Sequence, residues 1–170
     1  MPDLASSIEL LVPGAAYRGS LTANTQDAYD ALIWEDARTK PLYNDVLVAD
    51  AQVQKDRLKA YAADARWTRQ TGGYTYHGVT YSTDFQSPAA LSTAYAIATQ
   101  NPQYSTKWKT MDGNFQSLNT QDIIGLVEGI QAFNDALFSA ESQCSSQIDD
   151  GTITTQTQIT SIINSVPNHL

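Results

Sequence analysis

The sequence predicts an α+β fold in which two long helices and one shorter helix pack on a small antiparallel sheet of hairpins. Residues 42–66 contain neither Gly nor Pro and carry apolar residues at helical spacing. Residues 121–148 form a second long amphipathic segment, with apolar residues at near-heptad spacing. Between these segments, short runs rich in aromatic and β-branched residues flank Gly-containing turns, which is typical of hairpins.

Composition limits the classes of partner. The chain has 170 residues, which fits one domain or one domain with a small appendage. Only 16% of residues are charged, below the usual share of about a quarter, and neutral polar residues take their place. Such a surface suits assembly into a larger particle, and it also suits secretion. The net charge of -8 argues against a nucleic-acid partner, because binding to phosphates depends on Lys and Arg.

Neither a membrane span nor a secretory signal is predicted. No apolar stretch reaches the roughly 18 residues that a spanning helix needs. The start of the chain, Met1-Pro2-Asp3-Leu4, lacks the basic and apolar regions of a signal peptide. We therefore expect synthesis in the cytoplasm and no membrane partner.

Residues 1–40 are predicted to form an N-terminal arm of strands and loops. Residues 6–12 resemble a short strand that ends in the turn Pro13-Gly14, and residues 17–21 are expected to pair back on it. Residues 24–36 fit a helix and a strand about equally well.

Residues 41–66 are predicted to form a long connecting helix that starts at Thr39-Lys40-Pro41. A helix of about 25 residues is about 37 Å long, longer than a small hairpin can cover. Its apolar stripe is the candidate interface, and it consists of Leu42, Val46, Ala49 and Val53. Packing against another chain and packing against the second long helix both remain open.

Residues 67–150 are predicted to form the main α+β domain. The run from Trp67 to Ser82 is interpreted as one or two hairpins, with turns at Gly72-Gly73 and His77-Gly78. A helix follows from Ser87-Pro88 to about residue 99. The last long helix begins at Asn119 or Thr120 and ends at residues 149–151. Residues 151–170 form a polar tail with one short helical face, made by Ile159, Ile162 and Ile163.

A second hairpin is predicted at Asp112-Gly113, since this pair favours a two-residue type I′ turn. Alternate residues of an antiparallel pair face one side. Trp108 and Phe115 are therefore expected to reach the core together, against Ile130 and Leu137. The predicted apolar stripe of the last helix comprises Ile123, Val127, Ile130, Phe133, Leu137, Phe138, Cys144 and Ile148.

No catalytic, cofactor-binding or metal-binding residue is predicted. The two histidines, His77 and His169, are far apart in sequence, and Cys144 has no nearby histidine and is interpreted as a buried structural thiol. The helical carboxylates have the spacing of solvated faces, and they are Asp36, Asp45, Asp50, Asp122, Glu128, Asp135 and Glu141. The aromatic residues of the central region are expected in the core rather than on a sugar-binding platform, and they are Trp67, Tyr74, Tyr76, Tyr81, Phe85, Trp108 and Phe115.

The order of motifs from residue 76 to residue 148 carries a family resemblance. Residues 76–84 are Tyr-His-Gly-Val-Thr-Tyr-Ser-Thr-Asp, and residues 87–91 are Ser-Pro-Ala-Ala-Leu. Residues 107–115 are Lys-Trp-Lys-Thr-Met-Asp-Gly-Asn-Phe, and a long helix containing Ala132-Phe133 and Leu137-Phe138 follows. This order resembles domain of unknown function 4376, which recurs in bacteriophage tail-fibre and tail-associated proteins.

The resemblance implies a structural, non-enzymatic component of the virion tail, at the fibre or baseplate, that attaches or orients tail fibres. It implies other phage tail proteins as partners and no cofactor. The apolar stripe of the long helix indicates further copies of this chain as partners. Two alternatives remain: a tail-fibre assembly chaperone that is not retained in the virion, and a small glycan-binding or hydrolytic module built on the aromatic hairpins.

Overall fold

The computed structural model describes residues 2–84 and 87–169, and of Ser87 and Pro88 it describes the backbone only. The chain divides into two compact units, Met1–Leu58 and Lys59–Leu170. The described residues contain six helices and three two-stranded antiparallel sheets. The predicted α+β class is therefore confirmed, with the hairpins in three separate sheets.

The N-terminal unit is built from short elements. In chain order they are α1 (Leu4–Leu11), β1 (Tyr17–Arg18), α2 (Gln26–Asp30), β2 (Ile33–Trp34) and the first part of α3 (Tyr43–Thr71). Strand β1 pairs with β2, so the predicted partner of residues 17–21 is wrong. The ambiguous region, residues 24–36, contains both a helix and a strand.

The strand predicted at residues 6–12 is wrong, because these residues belong to α1. The Asp3 side chain accepts a hydrogen bond from the Ser6 backbone N–H at 3.1 Å, which caps the first turn. Leu4, Ser7 and Ile8 are buried, and this is the i, i+3, i+4 spacing of a helical face.

The core of the N-terminal unit is small. It consists of Leu4, Ile8, Tyr29, Leu32 and Val46. The Tyr29 hydroxyl donates to the Pro41 carbonyl at 2.5 Å, and Lys40 Nζ lies 4.5 Å from the centre of the Tyr29 ring. These contacts hold α2 against the residues that precede α3.

Helix α3 continues to Thr71, so the strand predicted to start near Trp67 is wrong. The last turns of this helix are held within the C-terminal unit by two arginines. Arg66 Nε donates to Glu141 at 2.7 Å, and Arg69 donates to the Val166 carbonyl at 3.0 Å. Gly73, with φ of 97°, lies just after the helix end rather than in a hairpin loop.

The C-terminal unit is organised around α5. Its elements after α3 are β3 (Tyr74–Tyr76), β4 (Val79–Tyr81), α4 (Ser87–Ala98), β5 (Ser105–Lys109), β6 (Phe115–Asn119), α5 (Thr120–Asp149) and α6 (Gln156–Asn164). Elements α4, α6, β6 and β3 all contact α5. Asn119 and Asp122 form a capping box at its start. The cap at Asn119 and the helix end at Asp149 agree with the predicted bounds.

Most of the predicted α5 stripe is confirmed, including full burial of Cys144. Val127 is only partly buried, and Phe138 is 52% exposed. The prediction for Phe138 is wrong because its neighbour Leu137 occupies the inward-facing position. The Phe138 ring instead lies 4.7 Å from the guanidinium of Arg66.

The hairpin of β3 and β4 is confirmed. His77 and Gly78 form its two-residue loop, with φ of 48° and 78°, the requirement of a type I′ turn. Tyr76 packs so closely on α5 that a Cβ at Gly125 would overlap the Tyr76 hydroxyl and lie 3.0 Å from Cζ. Only glycine fits there without a shift.

The hairpin of β5 and β6 is present, but its predicted two-residue turn is wrong. Lys109 pairs with Phe115, which leaves a five-residue loop in which only Gly113 has positive φ. The Asp112 carboxylate accepts hydrogen bonds from the Thr110 hydroxyl and the Asn114 N–H and so fixes this wider turn.

This change shifts the register by one residue, and such a shift turns side chains to the opposite face. Trp108 pairs with Gln116 and is partly buried, whereas Phe115 is 68% exposed. The prediction that both reach the core is therefore wrong for Phe115.

The chain end folds back onto β3. Ile159 and Ile163 of α6 are buried, which confirms the short helix, while Ile162 is only partly buried. The Thr75 N–H donates to the Asn168 carbonyl at 2.8 Å, and Thr75 forms a parallel bridge with His169. Within the described residues, no helix has the length and apolar content needed to cross a membrane.

Candidate functional site, an apolar groove in the N-terminal unit

An apolar groove with a volume of about 490 Å³ lies between the end of α1 and the start of α3. We call it the α1–α3 groove. One wall comes from α1 and the residue after it, namely Leu10, Leu11 and Val12. The other wall consists of Pro41, Asp45, Val48, Ala49 and Gln52. The last four follow the i, i+3, i+4, i+7 spacing of one helical face.

Polar contacts at the start of α1 fix the position of this helix on α3. The Asp3 N–H donates to Asp50 Oδ1 at 2.7 Å, and the Asp3 carboxylate forms an ion pair with Arg57. The Arg57 guanidinium lowers the pKa of Asp3 from 3.8 to about 2. The residue before α1 thus contacts residues 50 and 57, and the end of α1 lines the groove together with residues 41–52, so the two helices run antiparallel.

The groove exposes large apolar side chains. Leu10 is 48% exposed, Leu11 is 41% exposed and Val48 is 74% exposed. Leu42, just before α3, is 71% exposed. Among the described lining residues, Asp45 alone is charged. Scattered apolar side chains are normal on a surface, but contiguous ones mark an interaction site.

The structure separates the four residues of the candidate interface. Val46 is fully buried in the core of the N-terminal unit, and Ala49, 5% exposed, lies on the floor of the groove. Val53 is partly buried, and Leu42 is on the surface. The expectation of one continuous stripe for a partner is therefore revised, because Val46 belongs to the core of the N-terminal unit. Leu42 and Ala49 remain at the surface or the groove.

Sequence reasoning missed Leu10, Leu11 and Val48. The two leucines were assigned to a strand, which gave no reason to place them beside α3. Val48 lies outside the predicted stripe, although Leu47-Val48 widens the apolar arc of the helix by two adjacent residues. A helical interpretation of residues 4–11 brings these side chains together.

Most of the carboxylates considered for chemistry have structural contacts. Asp36 accepts hydrogen bonds from Arg38, which holds the pKa of the Asp36 carboxyl below its usual value. Asp122 caps α5, Asp135 accepts a hydrogen bond from Gln131, and Glu141 pairs with Arg66. In the described part of the chain, no group of three His, Cys, Asp or Glu side chains is arranged to hold a metal ion.

The aromatic residues of the hairpins do not form one platform. Tyr74 and Tyr81 are each 2% exposed, and the Tyr74 ring packs 5.7 Å from that of Phe133. Trp67 and Phe115 are on the surface. Phe85, predicted to belong to the same cluster, lies outside the described residues.

Comparison with known proteins places part of this structure in a family. The model of a domain of unknown function, DUF4376, matches residues 53–163, which is more than half of the chain. No curated protein and no solved structure matches the chain. The matched region covers nearly all of the C-terminal unit and leaves the α1–α3 groove outside. The chain belongs to the DUF4376 family.

Proposed function

We propose that this protein is a structural component of a bacteriophage virion tail, at the fibre or baseplate, and that it attaches or orients tail fibres. Its partners are other phage tail proteins and further copies of this chain. Two observations support the proposal: the motif order that resembles phage tail-associated domains, and the exposed apolar groove of the N-terminal unit.

The groove is the observation that carries the proposed role. Its walls are two antiparallel helices, and it presents Leu10, Leu11 and Val48 to solvent. An amphipathic helix of a tail protein fits such a groove through apolar anchors at i, i+3 and i+4. Asp45 at the groove favours a partner helix with a basic residue beside its apolar face.

The test compares purified phage particles that carry groove variants. Val48→Asp and Leu11→Asp place a charge in the groove, and charged groups without partners are unfavourable in an apolar contact. Ala51→Asp is the matched control, because Ala51 is exposed on the same helix and does not line the groove. Circular dichroism and thermal melting establish that all three variants fold.

We expect mass spectrometry to find the wild-type chain and Ala51→Asp in particles and both groove variants strongly depleted. Normal incorporation of the groove variants would reject the groove as the attachment site. If the wild-type chain is abundant in infected cells but missing from purified particles, the protein is an assembly factor and the proposed virion role is wrong.

A further inference from the structure

A second cavity, of about 220 Å³, lies inside the C-terminal unit between the end of α3, α4 and α5. Buried Thr83, Leu91 and Ile130 form its floor, and exposed Ser92 and Gln131 lie at its rim. Pockets for drug-sized ligands measure about 300–1,000 Å³. This cavity therefore suits a smaller molecule.

The described lining of the cavity mixes polar and apolar side chains and carries no charge. Its described lining residues include amides and hydroxyls, such as Gln70, Ser92 and Tyr95, and none of them is charged. A charged ligand would lose its hydration there without meeting an opposite charge. The composition therefore favours a neutral occupant.

One hydrogen-bond acceptor in the described lining has no donor. Asn134 Oδ1 is buried and has no hydrogen-bond partner in the described structure. Two other amides of the lining do have hydrogen-bond partners. Gln131 Nε2 donates to Asp135 at 2.8 Å, and Gln70 Oε1 accepts from Arg66 at 2.5 Å. A buried acceptor without a donor is unfavourable. A ligand hydroxyl that donates to Asn134 Oδ1 would remove this penalty.

We propose that this cavity binds a single neutral sugar ring, with a hydroxyl on Asn134 Oδ1 and the C–H face on Leu91 and Ile130. A pyranose combines hydroxyl donors at its edge with an apolar face, which matches the polar and apolar sides of this lining. The site is separate from the aromatic hairpins on which the sequence suggested a glycan module. It does not depend on the proposed tail function, because the α1–α3 groove belongs to the other unit.

The experiment is an NMR titration of the ¹⁵N-labelled full chain with the methyl glycosides of glucose, galactose, mannose and N-acetylglucosamine. We expect saturable shifts of the Asn134 side-chain amide and of α4 and α5 backbone amides with at least one glycoside, with a Kd on the order of millimolar. Glucuronate, which is charged, and acetamide, which lacks the C–H face, should bind at least about tenfold more weakly.

Three variants test the position of the ligand. Ser92→Tyr fills the rim and should abolish the shifts, whereas Thr93→Tyr, exposed on the same helix but outside the cavity, should leave them unchanged. Asn134→Leu should weaken binding at least about tenfold and raise the thermal midpoint, because it removes the unpaired acceptor.

Three results would overturn the proposal. The first is the absence of saturable shifts with all four glycosides. The second is unchanged binding in Ser92→Tyr or Asn134→Leu. The third is a lower thermal midpoint of Asn134→Leu, which would mean that the amide is already satisfied in the unliganded protein.

Discussion

The N-terminal and C-terminal units differ in how much of their apolar surface is buried. The N-terminal unit has two-residue strands, a core of five buried residues and an open apolar groove. The C-terminal unit surrounds the 30-residue helix α5 on several sides. The family match begins at residue 53, so the recurring part of the chain is the well-packed one. The scaffold shared by the family and the groove proposed for attachment therefore reside in separate parts of the molecule.

The largest expected effect tests whether α5 carries the stability of the C-terminal unit. Leu137 is fully buried, so Leu137→Ala should lower the free energy of unfolding by about 2–5 kcal/mol. Its neighbour Phe138 is the control, because it is 52% exposed. Phe138→Ala loses mainly its contact with Arg66, worth about 1 kcal/mol or less. Denaturant unfolding measures both, and equal losses would disprove the inward position of Leu137.

The next effect tests how tightly β3 packs on α5. Gly125→Ala gains about 1 kcal/mol of helix propensity, but the added methyl overlaps the Tyr76 hydroxyl, and overpacking costs about 1–3 kcal/mol. We expect a net loss of stability. Tyr76→Phe removes the overlapping oxygen and should recover part of that loss in the double variant. A double-mutant cycle by thermal melting gives the coupling, and a coupling near zero would reject this contact.

A smaller effect tests the polar contacts of the N-terminal unit. Asp3 has a folded pKa of about 2, below its ordinary 3.8, because it pairs with Arg57. A lowered pKa stabilises the fold above pH 4, and this contribution disappears as the pH falls from about 4 to 2. The shift corresponds to at most about 2.5 kcal/mol. Solvent screening at this partly exposed carboxylate reduces our expectation to about 1 kcal/mol.

Asp3→Asn should therefore be less stable than the wild type at pH 7 and equal to it near pH 2. Denaturant unfolding across this range measures the difference. Asp30→Asn, at an exposed position of the same unit, is the matched control for the loss of one negative charge. A pH-independent gap for Asp3→Asn would show that the Arg57 pair is unimportant for the N-terminal unit.

The smallest effect tests the register of β5 and β6. Phe115 is 68% exposed, so Phe115→Ala should change stability by less than about 0.5 kcal/mol. Trp108, on the opposite face and partly buried, should lose more on replacement by Ala. Thermal melting of the two variants compares their losses of stability. A larger loss for Phe115 would restore the register expected from a two-residue turn.

Sequence periodicity predicted the elements that are long and regular. Most of the α5 stripe, a cap at Asn119 or Thr120 and the break at residues 149–151 were predictable, because a long helix repeats its signal over many turns. The strand assigned to residues 6–12 failed because a run of seven residues does not distinguish the helical period from the strand period. Asp3, a capping residue just before Leu4, is the sequence signal that favours a helix over a strand here.

Two hairpins show why local turn chemistry predicts only part of a register. His77-Gly78 adopts the two-residue turn, whereas Asp112-Gly113, the stronger signal, lies in a five-residue loop. The Asp112 side chain bonds its own loop, and those contacts are not visible from pair preferences. The resulting one-residue shift in the register of β5 and β6 determines the face on which Phe115 lies.

The groove was predictable only in part. Helical spacing grouped Leu42, Val46, Ala49 and Val53 on one face, and of these four only Ala49 lines the groove. Spacing alone does not reveal which residues the rest of the chain covers. Val46 is buried in a core with Leu4, Ile8, Tyr29 and Leu32, whereas Val48 is exposed. This outcome depends on tertiary packing that the pattern of a single segment does not contain.

The labelling rate of the single cysteine measures how often the C-terminal unit opens around α5. Cys144 is fully buried on α5, and burial raises the pKa of its thiol, so the reactive thiolate is scarce in the folded state. A thiol reagent modifies this residue only when the helix opens. Labelling rates followed by mass spectrometry thus report the opening equilibrium around α5 in the native protein, with no introduced probe. The N-terminal unit has no cysteine, so the thiol reagent does not label it in the same measurement.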